Sequence, residues 1–272
     1  MTGYSFKKIF TSHARWLIGL IGFLLLGHKT LLITLPLSRN QLLWQRNPKS
    51  TFVTLRISSY FDWATIHEIF IRREYALDNF PQNEVVQKAY RSHIEAKQTP
   101  LILDLGANIG VASKFFSAEY PGAMIVAVEP SEANQISLKR NLPGSNFSIR
   151  HAAVGFEAGN LELRDPGLGN NAFRTYGDGK VVGTVPQVTV DELIAPYPNC
   201  PLLLVKVDIE GFESALFSGN TDWIDNAKVI AIETHDWMLP GKGISQNLIN
   251  ALAGRNRDLV FQGENLFSIR ND

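Results

Sequence analysis

The chain has 272 residues, 45% of them hydrophobic and 19% charged, with 26 basic against 26 acidic side chains. That balance excludes a disordered or low-complexity chain and leaves length for one large domain plus an extension. A single cysteine, Cys200, excludes an internal disulfide, and no Cys/His cluster has zinc spacing.

The neutral total hides an uneven spread. Residues 1–50 hold Lys7, Lys8, Arg15, Lys29, Arg39, Arg46 and Lys49 and no acid, so they are net +7 and the remainder is −7. The asymmetry predicts an anionic surface, such as a membrane, as partner of the N-terminal segment. The acidic remainder, with no basic aromatic-laced patch, argues against a nucleic-acid partner.

Residues 16–27 form an unbroken apolar run that His28, Lys29 and Thr30 interrupt and Leu31 to Leu37 resume. Three readings stay open. A cleaved secretory signal has its basic start but lacks a small-x-small cleavage site. A single membrane span would bury Lys29 near its middle, and basic residues on both flanks give no orientation. A helix or helical pair would lie at a bilayer interface or on the domain. Pro36 and Asn47-Pro48 close the region.

Phe52 to Ile57 alternates like a strand, and Ile66, Ile69, Phe70 and Ile71 fit one face of a helix. A polar helix is expected from Asn83 to Ala96. The organising stretch follows: Leu101-Ile102-Leu103-Asp104-Leu105-Gly106-Ala107-Asn108-Ile109-Gly110 reads as a buried parallel strand, a turn of small residues and a helix start at Val111. Gly106 and Gly110 are expected where the backbone turns and a ligand approaches. The spacing is not G-x-G-x-x-G, which argues against a nicotinamide-dependent oxidoreductase.

Ala123 to Glu129 is a second strand ending in an acid, 25 positions after Asp104, where nucleotide-binding units grip ribose hydroxyls. Ser131 opens a helix to Asn141. Phe147 to Val154 reads as a third strand. Leu161–Arg164 and Val185–Val190 alternate around Gly/Asn-rich turns, which predicts an inserted β-hairpin with a mobile tip. Leu202 to Asp208 is the fourth parallel strand and runs into a helix through Phe217. Lys228 to Glu233 is the fifth, and a helix spans Ile244 to Leu252. Asp258–Gln262 and Leu266–Arg270 close the chain as an antiparallel pair. Three parts are therefore expected: residues 1–50, a strand–helix lead-in over 51–100, and a ligand-binding domain over 101–272.

The order of motifs resembles the FkbM family of S-adenosylmethionine-dependent methyltransferases over about residues 52–270. Asp104-Leu-Gly-Ala-Asn-Ile-Gly110, Glu129-Pro130, Ala152-Ala153-Val154-Gly155, Val188-Thr189-Val190-Asp191-Glu192-Leu193, Lys206-Val-Asp-Ile-Glu-Gly-Phe-Glu213 and Ile232-Glu233-Thr234-His235 carry the likeness. Arg56 to Tyr75 is similar to the family's lead-in. The first motif is common to many class I methyltransferases; K-x-D-x-E-G-x-E is far more specific. The resemblance implies a Rossmann-like α/β fold, a seven-strand mostly parallel sheet with helices on both faces. It also implies bound S-adenosylmethionine and O-methylation of a glycan, glycolipid or secondary metabolite. A non-catalytic module of the same fold is the alternative.

In that reading Asp104 and the backbone of Gly106, Ala107, Asn108 and Gly110 hold the cofactor's amino-acid end. Glu129 holds the ribose, and backbone near Ala152 and Ala153 touches the adenine. An alcohol acceptor needs help losing its proton. Asp208, Glu210 and His235 are the catalytic candidates, drawn from a cluster that includes Glu213 and Glu233. The same carboxylates with His235 would suit Mg²⁺, although no metal ligand set is assigned. Lys206 and Glu213 are read as an internal ion pair or a helix N-terminal charge. Because the methyl donor is made inside cells, a cytoplasmic location is expected, with residues 1–50 holding the enzyme at a membrane.

Overall fold

A computed structural model describes residues 30–34, 40–45, 52–57, 60–165, 179–238 and 240–271. The chain divides into two compact units, Met1–Arg73 and Glu74–Asp272.

In the first unit, strands β1 (Thr30–Thr34), β2 (Asn40–Gln45) and β3 (Phe52–Arg56) form an antiparallel sheet in that order. Helix α1 (Tyr60–Ile66) continues into a π-helical turn at His67–Ile71. The strand at Thr30–Thr34 corrects the helical reading of the segment from Leu31: a short apolar run bounded by threonines extends and pairs with β2, register Leu31↔Trp44. The apolar run 16–27 lies outside the described residues. No helix among the described residues is long and apolar enough to cross a membrane.

The second unit begins with α2 (Gln82–Glu95), the expected polar helix, and α3 (Val111–Glu119) follows its first strand. Its sheet contains β4 (Leu101–Leu105), β5 (Met124–Val128), β6 (Phe147–Arg150), β10 (Leu202–Val207), β11 (Val229–Glu233), β12 (Arg257–Gln262) and β13 (Asn265–Arg270). Their spatial order is β12-β13-β11-β10-β4-β5-β6. The pairs from β11 through β6 are parallel, while β13 runs antiparallel to both β11 and β12. This is the expected seven-strand, mostly parallel α/β sheet. The chain moves outward from β4 to β5 and β6, then returns to the other side of β4 as β10. That reversal opens a crevice at the carboxyl ends of β4 and β10.

The central strands are buried on both faces, as their unbroken apolar runs require. On one face Leu103, Leu105, Val205, Val207, Ile230 and Ile232 join Trp223 of α7 (Trp223–Asn226) and Leu248 of α8 (Gln246–Leu252). On the other, Ala127 meets Leu138 and Leu142 at α4 (Glu132–Asn141), so helices cover both faces. Ser131 caps α4, its hydroxyl accepting from the Asn134 N–H at 3.4 Å.

The expected third strand is corrected. It stops at Arg150, where the Gln135 side-chain amide donates to the carbonyls of Arg150 (3.2 Å) and Glu129 (2.7 Å) and takes the place of further ladder bonds. The next two residues that pair, β7 (Ala153–Val154), belong to a separate sheet with β9 (Lys180–Val188) and β8 (Gly159–Asp165). β8 and β9 are the expected inserted hairpin; its tip lies outside the described residues. Thr189 and Glu192 then form a capping box that starts α5 (Val190–Ile194).

Candidate active site

Side chains alternate along a strand, so residues two apart share a face. Asp104 of β4 pairs in register with Lys206 of β10, flanked by Ala127 and Ala231 on the outer strands. The small neighbours leave room for two charged side chains in the middle of the sheet. Continuing along the same face past the strand ends come Asp208, then Glu233 and His235.

Lys206 ties this face together. Its Nζ lies 3.2 Å from Asp104 Oδ1 and 3.2 Å from Asp208 Oδ2, and it donates to the Gly106 carbonyl at 2.7 Å. Burial works against its charge, but Asp104 and Asp208 outweigh that and hold its pKa well above the usual lysine value. Asp104 is fully buried, and its other oxygen accepts from Ser113 Oγ at 2.6 Å. The expected internal ion pair of Lys206 is therefore present, with Asp104 as one partner.

The loop after β4 turns through positive φ at Gly106 (+80°), Asn108 (+50°) and Gly110 (+89°). The glycines do serve the turn. The space their missing Cβ leaves is filled by protein, however: at Gly106 a Cβ would sit 1.7 Å from the Asp208 carbonyl oxygen, at Gly110 2.9 Å from Leu138 Cδ1. Sheet and helix packing, rather than ligand approach, demand glycine there. Ala107 is buried, and Asn108 Oδ1 is a buried acceptor with no hydrogen-bond partner.

Glu129 folds back onto this loop. Its carboxylate accepts from the N–H of Asn108 (2.9 Å) and Ser131 (2.8 Å) and from the Asn134 amide (3.2 Å). Burial outweighs those three bonds and raises its pKa to about 7. A carboxylate has about four acceptor positions, so one remains. Glu129, expected to hold a ribose, also fixes the loop after β4.

Beyond β10 and β11 lies the acid and imidazole group. His235 is buried; its Nδ1–H donates to Glu213 Oε1 at 3.0 Å, which turns Nε2 toward Glu233 Oε1 (3.5 Å) and Asp208 Oδ1 (3.9 Å). Glu213 Oε1 also accepts from the N–H of Ile209 and Gly211, both at 3.2 Å, so Glu213 is an anchor at the start of α6 (Glu213–Leu216). Burial opposes charge on His235, but Glu213, Asp208 and Glu233 together raise its pKa to about 9. Burial, with Asp208 beside it, raises Glu233 to about 8. Tyr75 is buried on Phe116, its ring centroid 5.6 Å away; burial first, then the site's carboxylates, raise its phenol well above the usual value against the pull of Lys206.

The Methyltransferase FkbM domain matches residues 104–259, more than half of the chain. The chain belongs to the FkbM methyltransferase family. It is 26% identical over 149 residues to the hexuronic acid methyltransferase AglP of Haloferax volcanii, covering 52% of this chain and 58% of AglP. It is 26% identical over 190 residues to methyltransferase 1 of Beauveria bassiana, covering 60% of this chain and 70% of that protein. A solved precorrin-6y C5,15-methyltransferase from Geobacter metallireducens covers 71% of this chain and 89% of its own at 14% identity and a TM-score of 0.36.

In this FkbM methyltransferase the structure gathers Asp104, Gly106, Ala107, Asn108, Gly110 and Glu129 around one loop. Asp208 and His235 come together beside Lys206. Glu233, rather than Glu210, stands within ligand distance of both. Glu210 sits at φ +55° in the turn before Gly211, close enough for its charge to act on Glu233. Ala152 and Ala153 are buried, Ala153 pairing with Gln187 of β9. Ser113 and Asn134 were missed, while Ser131, read as the helix start, also donates its N–H to Glu129. A serine nine positions after Asp104 has no distinguishing signal, whereas the Ser131 cap was readable after Pro130.

Proposed function

We propose that this enzyme moves a methyl group from S-adenosylmethionine to a hydroxyl of a sugar-bearing acceptor, a glycan, glycolipid or secondary metabolite. One observation carries the reading: Lys206 donates to the Gly106 carbonyl of the loop that Glu129 braces and also grips Asp208 of the Asp208, Glu233 and His235 group, so the proposed donor half and proton-handling half adjoin. The AglP relative, a hexuronic acid methyltransferase, supports a sugar as acceptor.

The residues fit such a donor. The orphaned Asn108 Oδ1 offers an acceptor to its ammonium group, and the last acceptor position of Glu129 suits a ribose hydroxyl. Backbone at Ala152 and Ala153 lies at the β6 exit, where the adenine reading places it. S-adenosylmethionine supplies an electrophilic methyl group on a sulfonium. The surrounding carboxylates favour a positive ligand, and the crevice walls hold the reacting groups in line. The acceptor's hydroxyl proton passes to a carboxylate at the β10–β11 ends. Asp208 and Glu233 are both partly exposed there, and a base poised near neutral pH suits the task. His235, holding a proton of its own, steadies the negative charge that grows on the acceptor oxygen.

Calorimetric titration with S-adenosylhomocysteine tests the donor half. The wild-type chain is expected to bind it, and Glu129→Ala to weaken binding at least about tenfold, the loss of one charge-assisted contact. A folded wild-type protein that fails to bind overturns the reading. A methyl-donor assay on glycan and glycolipid extracts, read by mass shift, tests the acceptor; donor binding with no turnover on any extract would favour the non-catalytic module.

A further inference from the structure

Asp208, Glu233 and His235 present a carboxylate oxygen, a second carboxylate oxygen and an imidazole nitrogen whose positions all lie within 4.8 Å of one another. Two donors bound to one metal ion at about 2.1 Å stand about 3.0–4.2 Å apart. The observed Nε2 distances, 3.5 Å to Glu233 and 3.9 Å to Asp208, fall in that interval. We propose that these three side chains form a binding site for one divalent transition-metal cation.

Four features of the surroundings point to a cation. First, His235 is oriented as a ligand: Glu213 takes its Nδ1–H and leaves Nε2 aimed at the two carboxylates, the carboxylate–histidine arrangement that supports metal ligands. Second, Glu213 is itself fixed by two backbone N–H groups, so the imidazole cannot swing away. Third, the other oxygen of Glu213 is buried without a hydrogen-bond partner, so a carboxylate with an unused acceptor stands behind the imidazole. Fourth, Lys206 uses Oδ2 of Asp208, while Oδ1 is the atom that faces His235. Lys206 already serves Asp104 as well, so it does not neutralise the whole group.

The ligand set selects among metals. Mg²⁺ and Ca²⁺ take oxygen ligands, whereas an imidazole with two carboxylates suits Mn²⁺ or Zn²⁺. Three protein ligands leave coordination positions open. The ligands stand at the ends of adjacent parallel strands, a rigid base at the crevice floor. The site stands on its own geometry; its role rests on the methyl-transfer reading above. There the cation takes the acceptor oxygen in an open position and lowers its pKa. The bound cation takes the place of the proton on His235 Nε2 and occupies the two carboxylates, so the acceptor's O–H proton leaves to water instead; the oxygen forms the new O–CH₃ bond, and the S–CH₃ bond breaks to leave a neutral thioether.

Mn²⁺ alone is the probe. Full-length protein freed of metal by a chelator is titrated with Mn²⁺, and the free-ion electron paramagnetic resonance signal is followed. One ion per chain is expected to bind, to be displaced by equimolar Zn²⁺ and to resist equimolar Mg²⁺. Glu233→Gln, His235→Gln and Asp208→Asn are each expected to weaken binding at least about tenfold, and Glu213→Gln about 10–100-fold through the imidazole it positions. Glu162→Gln, on β8 of the inserted hairpin, is expected to leave binding unchanged. No bound Mn²⁺ at millimolar concentration, or equal binding by folded Glu233→Gln and Asp208→Asn, overturns the site. S-adenosylhomocysteine titrated into the same samples separates the two ideas: its normal binding without Mn²⁺ binding leaves methyl transfer standing and removes the metal.

Discussion

Two buried charges give opposite stability effects. Lys206 compensates two carboxylates and a carbonyl, so Lys206→Met leaves Asp104 charged and unpaired in the sheet. A loss of about 3–5 kcal/mol is expected from urea unfolding, the usual cost of breaking a buried pair from one side. Glu129 works the other way. Its folded pKa of about 7 lies above the ordinary 4.5, so the fold binds an extra proton between those values. Stability from this group is full below pH 4.5 and lost as pH rises to about 7. At about 1.4 kcal/mol per unit the loss is about 3 kcal/mol. Wild type and Glu129→Gln, unfolded in urea at pH 5 and pH 8, are expected to differ in slope in that sense; parallel profiles would refute it. The sequence showed these acids and their strand ends. It did not show that Glu129 would spend three of its acceptor positions on the protein, because those bonds depend on how the loop doubles back.

At the level of elements, the periodicities that spelled out strands and helices were sufficient wherever a run was long and buried on both sides. β4, β5, β10 and β11 lie within a residue or two of expectation, and the closing pair does as well. The failures are local contests. Phe147 to Val154 looks continuous, yet the Gln135 amide ends the ladder at Arg150, and an apolar pattern carries no trace of a side chain arriving from a helix. The glycines of the first loop were read correctly as turn residues, but the packing that also demands them was not foreseen. That yields a contrast between two substitutions. Gly106→Ala puts a methyl group into the Asp208 carbonyl at a positive φ and should cost more than about 3 kcal/mol, or prevent folding. Gly183→Ala, in the inserted hairpin with nothing within 4 Å, should stay within about 0.5 kcal/mol. Thermal midpoints of the pair measure the difference directly.

For the molecule as a whole, the charge split between residues 1–50 and the rest was legible from counting alone, while the sheet formed by β1, β2 and β3 was not. A short apolar run does not distinguish strand from helix by period, and the strand–strand pairing that decides it is made with residues further along. The seven cations of residues 1–50 lead us to propose that this segment meets an anionic membrane surface. Full-length protein is expected to cosediment with vesicles containing phosphatidylserine, less with neutral vesicles, and less again in 0.5 M salt, since screening shortens the reach of such charges. Equal sedimentation with both lipids would dismiss the idea. Finally, Lys206 touches the carbonyl of the proposed donor loop with the same nitrogen that grips Asp208 on the proposed acceptor side. Under that proposal a rigid ammonium shared between two half-sites makes them thermodynamic partners. Whatever factor donor occupancy imposes on acceptor affinity, the acceptor must return to the donor, and shortening that tether should uncouple them.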